Sequence, residues 1–137
     1  MIAHSRYVRG VDRKLAGRGL GRAHHRLLYF VGRRPGITVR ELLSLLGITK
    51  QSLSRVMREM IDHGLLEVRH HEGSRRDRLI ALTAAGEALE AELYADHQAI
   101  MSAAYSAAGA QAVRGYWRVL EALIPADARE QVATLGR

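Results

Sequence analysis

Between Gly36 and Gly64 the chain carries two helix-start signals eleven residues apart, and this stretch limits the fold more than any other. In GITVRELLSLLGITKQSLSRVMREMIDHG, Thr38 stands where its hydroxyl caps a first helix, and Glu41, three residues on, can return to the cap backbone. Ile37 before the cap and Leu42 four residues after it form the matching hydrophobic staple. Gly47 is placed to stop that helix. The signal then recurs: the Thr49 hydroxyl can take the free amides near Ser52, and Ile48 staples to Leu53. The pattern predicts two short helices joined by a sharp turn, a helix-turn-helix.

Placed at about 3.6 residues per turn, the second helix divides into two faces. Leu53, Val56, Met57, Met60 and Ile61 form the apolar stripe, and Gln51, Ser54, Arg55, Arg58 and Asp62 the opposite one, with Lys50 at the entry. Such side chains hydrogen-bond to base edges and phosphates. Any surface helix also has a solvated polar face, so the flanking charge decides between the two readings. The chain holds 21 Lys and Arg against 14 Asp and Glu, for a formal net charge of +7; residues 1–83 carry 17 basic and 7 acidic side chains, and residues 84–137 carry 4 and 7. Positive charge is therefore gathered on the half that contains the helix pair, as a surface facing a polyanion requires. An anionic membrane is the competing partner, but no amphipathic stretch has the bulky aromatic-lined face that such binding needs.

After Gly64 the apolar period changes to two, with Leu66 and Val68, then Leu79 or Ile80, then Leu82, which predicts a hairpin. Its tip, HHEGSRRDR, supplies Gly73 and Ser74 for the turn and Arg75, Arg76 and Arg78 for charge. A basic hairpin directly behind a helix-turn-helix is the winged-helix arrangement, in which a helix enters the major groove and wing arginines reach phosphates or the minor groove. Upstream, Ile2, Tyr7, Val8, Val11 and Leu15 mark a short helix over residues 2–16. Gly17, Gly19 and Gly21 in AGRGLGR read as a plain flexible linker, because no strand precedes them and no Lys-Ser or Lys-Thr pair follows. RAHHRLLYFVG, Arg22 to Gly32, reads as a helix turning Leu27, Leu28, Phe30 and Val31 to a core, closed by Pro35 and Gly36. Downstream, Thr83 can cap a helix running to about Ala108, with Leu89, Leu93, Ile100, Met101 and Ala104 as its apolar stripe and Gly109 as its stop. Ala110 to Ala122 predicts a further helix with Val113, Trp117 and Leu120, then Leu123 and Ile124, on its apolar side, ended by Pro125. A helix of some 25 residues spans roughly 37 Å, more than one small winged domain covers. Surplus apolar length of that kind either meets a partner chain or folds back as a helical hairpin.

At 137 residues and 47% apolar content, 1–137 is expected to form one domain with its own core. Within it, 22–83 would be the winged DNA-binding part, flanked by the helical segments 1–18 and 84–137. With no cysteine, disulfides, thiolate metal sites and thiol redox sensing are excluded. No secretory pattern and no apolar run near 18 residues is present, so a cytoplasmic protein is expected. His24 and His25 point about 100° apart on a helix, and His70 and His71 to opposite faces of a strand, so neither pair suits one metal ion. A surface or interface role is expected for them, and a metal-responsive regulator would need distant histidines to converge. No nucleophile stands beside a base and no Gly-rich loop follows a strand, so no catalytic residue, cofactor or enzymatic activity is expected.

The segment GLLEVRHHEGSRRDRLIALTAAG resembles the MarR family of transcriptional regulators. Gly64, Leu65, Arg76, Leu82, Thr83 and Gly86 match the family pattern of a Gly-Leu opening, a wing arginine and a closing Leu-Thr-x-x-Gly. The resemblance extends back through LLSLLGITKQSLSRVMREM and RLLYFVGRRPGIT and, more loosely, to both ends. Ser74 departs from it, standing where the family usually has an aspartate that helps position the wing arginine, so Arg75 or Arg78 can share the work of Arg76. The resemblance implies a mainly α (α+β) fold, a winged helix-turn-helix with a small antiparallel wing and N- and C-terminal dimerisation helices. It implies a homodimer on a pseudo-palindromic double-stranded operator, usually repressing nearby genes. Reading helices of such a dimer reach successive major grooves about 34 Å apart. Gln51, Ser52, Ser54 and Arg55 are expected at base edges, and Thr38, Arg40, Thr49, Lys50, Arg58, Arg75, Arg76 and Arg78 mostly at the DNA backbone. The family further implies release by a small aromatic or phenolic acid bound between the dimer helices and the winged part, for which His25, Arg26 and Tyr29 are candidate lining residues. The rival readings are a non-specific architectural DNA binder and a winged helix used for protein contacts.

Overall fold

The helix boundaries follow from local chemistry at each end. In the computed structural model, which describes residues 2–71, 74–125 and 129, and the side chains among them outside 2–8 and 70–77, the elements run in order α1 (Ile2–Ala16), α2 (Arg22–Arg33), β1 (Ile37–Thr38), α3 (Val39–Leu46), α4 (Lys50–Asp62), β2 (Leu66–His71), β3 (Ser74–Leu82), α5 (Ala84–Ala108) and α6 (Ala110–Leu123). The Thr38 hydroxyl accepts from the Glu41 amide at 3.3 Å, and the Glu41 carboxylate accepts from the Thr38 amide at 2.8 Å, so the predicted capping box is formed. Thr49 accepts from the Ser52 amide at 3.2 Å and starts α4 in the same way. α3 and α4 thus begin where the sequence placed their caps.

α1 and α4 end in the same closure. The Leu20 amide donates to the Leu15 carbonyl and the Leu65 amide to the Met60 carbonyl, each at 2.9 Å, with Gly19 and Gly64 at positive φ in between. These are Schellman motifs, in which the leucine after the glycine packs back on the helix it closes. Leu15, Leu20, Met60 and Leu65 are all buried accordingly. The segment around Gly17 and Gly19 is therefore a hydrogen-bonded turn and not the flexible linker expected, because Leu20 has a core to enter.

The sheet is antiparallel in the order β1-β3-β2. Ile80 of β3 lies opposite Ile37 of β1 and Val68 of β2, while Leu66 lies opposite Leu82. Ile80 is thus the inward residue of the Leu79–Ile80 pair, at 0% exposure. The β1 strand was not expected; two residues are too short to show alternation. The hairpin register shifts between His70 and His71. Gly73 lies outside the described residues, as do the side chains of Ser74, Arg75 and Arg76, although β3 includes those three.

The core joins Leu27, Leu28 and Val31 of α2 to Leu42 of α3, Leu53 and Met60 of α4, and Leu89 and Leu93 of α5. Each such residue contributes about 1.5–3 kcal/mol by leaving water. Two predicted stripes are narrower than expected. On α4, Leu53, Val56 and Met60 are buried and Met57 only partly, while Ile61 is 44% exposed, because the last turn of α4 passes the edge of the core. On α5, burial stops at Leu93; Ile100 and Ala104 are exposed and Met101 half-buried, since the helix runs on past the winged unit.

α5 joins that unit through a tight clasp. The Thr83 hydroxyl donates to the Gly64 carbonyl at 2.6 Å and accepts from the Gly86 amide at 3.1 Å, while the Thr83 amide donates to the Leu65 carbonyl at 3.2 Å. Gly86 presses on that strand entry so closely that a Cβ would penetrate the Leu65 carbonyl oxygen and lie 3.2 Å from the Leu82 Cβ. Backbone cannot rotate away as a side chain can. Gly86→Ala is therefore expected to destabilise the fold by about 1–3 kcal/mol or more. Gly10→Ala, in α1 where an added Cβ meets nothing within 4 Å, should be neutral or stabilise by up to about 1 kcal/mol. Urea midpoints for the pair check this; equal effects would mean that the clasp does not constrain the fold.

Candidate nucleic-acid interface

The exposed face of α4 presents Lys50, Gln51, Ser54, Arg55 and Arg58 along one groove, with half-buried Ser52 at its edge. A second groove continues from it, where Thr38, Arg40 and Glu41 of the α3 start meet Lys50 and, from the base of the hairpin, Arg78. The fold therefore brings most of the sequence-predicted contact residues onto one surface. Two of them have prior engagements: the Thr38 hydroxyl donates to Glu41 at 2.8 Å, and the Thr49 hydroxyl donates to Ser52 Oγ at 3.0 Å. The cap amides are engaged as well, that of Thr38 with the Glu41 carboxylate and that of Ser52 with the Thr49 hydroxyl. The side chains of Arg75 and Arg76 lie outside those described.

Charge is sorted across the molecule. Away from this surface, Lys14 pairs with Glu92 at 2.9 Å and Asp96 at 2.7 Å, Arg22 with Asp12 at 2.8 Å, and Arg33 with Glu90 at 3.0 Å. On it, Arg40, Lys50, Arg55, Arg58 and Arg78 make no ion pair with an acidic side chain among the described residues. Arg34 is spent on Glu41 at 2.7 Å. The Thr38 amide and hydroxyl, with Arg34, hold the Glu41 carboxyl below the usual carboxylate range, so this acid stays charged and bound to its cap.

His24 has a role that the sequence reading missed. It is buried at 9% exposure, and its Nδ1 accepts from the Gly21 amide at 3.0 Å, capping α2. Nδ1 is thereby the acceptor, so Nε2 carries the proton and donates to Glu59 of α4 at 2.6 Å. The expected surface role is wrong for His24 because its ring closes the α2 N-terminus against α4. A histidine at the third position after a glycine cap was the available signal.

Behind the interface, α2, α5 and α6 line a half-open cavity of ≈ 820 Å³. His25, Arg26 and Tyr29, the candidate effector residues, all line it, together with Glu90, Tyr94, His97, Tyr105 and Trp117. Arg33 lies over the Tyr29 and Tyr94 rings, 4.9 and 4.5 Å from their centroids. His25 and His97 stack at 5.2 Å with 27° between their planes. Burial pushes both imidazoles below the ordinary value of 6.5; the neighbouring His97 adds to the effect at His25, and Asp12 and Asp96 oppose it. Past the cavity, α6 buries nothing and leaves Trp117 47% and Leu123 72% exposed.

Residues 18–77 match the sequence profile of the MarR family. The chain is 47% identical over 123 residues to the HTH-type transcriptional regulator PetP of Rhodobacter capsulatus, covering 90% of this chain and 74% of that one. The chain belongs to the MarR family. Among solved structures, a MarR family regulator from Listeria monocytogenes complexed with 26mer DNA superposes with a TM-score of 0.76 at 14% identity, covering 89% of this chain and 81% of that one. A Mycobacterium tuberculosis MarR family protein in complex with salicylic acid superposes at 0.60 with 27% identity, covering 83% and 84%. The winged helix-turn-helix with helical arms, expected from the sequence, is the fold observed.

In this MarR-family chain, sequence reasoning named the α2 side of the cavity and missed the α5 side. Tyr94, His97, Met101 and Tyr105 fall at helical spacing, and that aromatic stripe was the signal. Because folding lowers the pKa of both His25 and His97, the unfolded chain takes up protons first as pH falls below about 6.5, so stability is present above that value and declines beneath it. The melting temperature should therefore drop between about pH 7.5 and pH 5.5, and His97→Gln should shrink the drop. An unchanged drop would trace the acid sensitivity elsewhere.

Proposed function

We propose that this MarR-family protein is a homodimeric, sequence-specific regulator of transcription that acts in the cytoplasm on double-stranded DNA. In this reading the winged part, 22–83, binds a pseudo-palindromic operator, the arms 1–18 and 84–137 pair two copies, and the bound state represses. The observation that carries it is a cluster of cations: Arg40, Lys50, Arg55, Arg58 and Arg78 gather around α4 and the wing base with no acidic partner among the described residues, whereas Lys14, Arg22 and Arg33 of the scaffold are matched by carboxylates. Gln51, Ser52, Ser54 and Arg55 read base edges, and Arg40, Lys50, Arg58, Arg78 and the wing arginines Arg75 and Arg76 hold the backbone. Thr38 and Thr49 meet the DNA backbone at the helix starts.

Dimerisation is supported by α6, whose exposed Tyr116, Trp117, Val119 and Leu123 need a cover that the described chain does not give them. An aromatic or phenolic acid in the α2–α5–α6 cavity would shift the two reading helices relative to each other. The salicylic acid bound by the mycobacterial relative supports that class.

Selection of duplexes from a random pool at near-physiological salt should return an inverted repeat with half-sites about one helical turn apart. Recovery of no preferred sequence, with affinity that follows salt alone, would instead make the protein an architectural binder. On the selected site, Arg55→Ala should cost about 1–3 kcal/mol and relax sequence preference, while Arg78→Ala should weaken all duplexes alike and lower the salt slope by about one. Equal behaviour of the two variants would refute the division into base-reading and backbone contacts.

A further inference from the structure

Glu41 and Glu59 flank the cationic surface of α4, and the scaffold holds both carboxylates. Glu41 accepts from the Thr38 amide and hydroxyl and from Arg34. Glu59, within α4 itself, accepts from Nε2 of buried His24 at 2.6 Å. The other acid of this helix, Asp62, is its last residue and stands about 10 Å beyond Arg55 along the axis.

Glu59 is the closer hazard, because it follows Arg55 by four residues, the spacing at which side chains of opposite charge meet on a helix. Its side chain is 43% exposed, so it has open room to turn outward. Arg55 is exposed as well, lines the groove with Gln51, Ser54 and Arg58, and makes no ion pair among the described residues. The histidine separates the two. Its Nδ1 is occupied by the Gly21 amide at 3.0 Å, which fixes the ring and leaves the Nε2 proton for Glu59.

We infer that His24 is a specificity-determining positioning residue: by holding the Glu59 carboxylate on the α2 side, it keeps Arg55 available to a base edge. The inference rests on the DNA-binding reading proposed above and adds to it two residues outside the contact surface. A released Glu59 would act in two ways. It would compete with the base for the Arg55 guanidinium, to which a carboxylate is a planar, bidentate acceptor, and it would set a negative charge beside phosphates. Both effects need the charge of Glu59 and neither needs a displaced helix, which distinguishes this role from a structural one.

The test measures a ratio of affinities in the full chain, for the selected duplex over a duplex changed at the base pair where Arg55→Ala relaxes preference. It is run at about 50 mM salt, where screening is weak. His24→Asn keeps an acceptor near the Nδ1 position but has no atom at the Nε2 position, so it should lower the ratio about two- to fivefold. His24→Gln, whose amide reaches the Nε2 position, should hold the ratio near that of the wild type. Glu59→Gln keeps an acceptor and loses the charge; added to His24→Asn, it should restore the ratio without raising the melting temperature. Glu59→Asp, charged but one methylene short of the ring, should lower the ratio as His24→Asn does, and it carries the comparison if the asparagine variant melts early. An unchanged ratio in His24→Asn or Glu59→Asp, or a double variant no better than His24→Asn, overturns this inference alone. A pool that returns no preferred duplex, or a preference that ignores Arg55→Ala, refutes the DNA-binding reading or its contact assignment, and the inference falls with it.

Discussion

The junction of α5 with the end of α4 is the contact on which the rest of the molecule depends. Gly64 turns the chain out of α4, Leu65 packs back on Met60, and Thr83 returns some twenty residues later to bond the Gly64 and Leu65 carbonyls. Gly86 then lets the first turn of α5 lie against the Leu65 carbonyl, a separation that no Cβ allows. Helix α4 therefore ends on the same few atoms from which the long arm begins. A displacement of the arm relative to the winged unit has no slack segment to absorb it there.

α2 supplies the other constraints, and each residue of its first turns serves a different neighbour. His24 bonds Glu59 in the body of α4, Arg26 bonds Leu46 at the end of α3, and His25 turns to His97 on α5. Successive residues on a helix point about 100° apart, so three adjacent elements can be addressed from one turn. α4 is thus fixed near its start through Arg26 and the Thr49 cap, in its middle through His24, and at its end through Gly64. The cavity lies on the remaining side of α2, one residue away from two of those ties.

What could be seen in advance divides by range. Caps and stops are chemistry within four residues, so Thr38 with Glu41, Thr49, Gly47, Gly109 and Thr83 were visible in the sequence, and the helices lie where these placed them. Burial of a stripe depends on how far the neighbouring element extends, which no local pattern states; hence Ile61 and Ile100 were assigned to an apolar stripe that leaves them exposed. His24 and Leu20 were misread for a related reason. Each looks like loop or surface until a distant partner, Glu59 or the α1 end, makes burial favourable. The α2 side of the cavity was accessible from a family resemblance, whereas Tyr94, His97 and Trp117 required knowing that α5 and α6 close over it.

The paired cations are a question of field more than of stability. An exposed ion pair contributes little, so the pairs of Lys14 and Arg22, both well exposed, cannot be what holds α1, α2 and α5 together. Leucine packing already does that. Their larger effect is to cancel positive charge within a few ångströms of where it sits, while Arg40, Lys50, Arg55, Arg58 and Arg78 keep theirs beside α4, the start of α3 and the wing base. At physiological salt, interactions between exposed charges fade over about 8 Å, so net charge elsewhere on the chain would do little for a polyanion at that surface. A chain with the same formal +7 spread evenly would approach DNA in any orientation. In the proposed reading, concentrating it beside Gln51, Ser54 and Arg55 makes the orientation that brings phosphates close also the one that would bring base edges within reach.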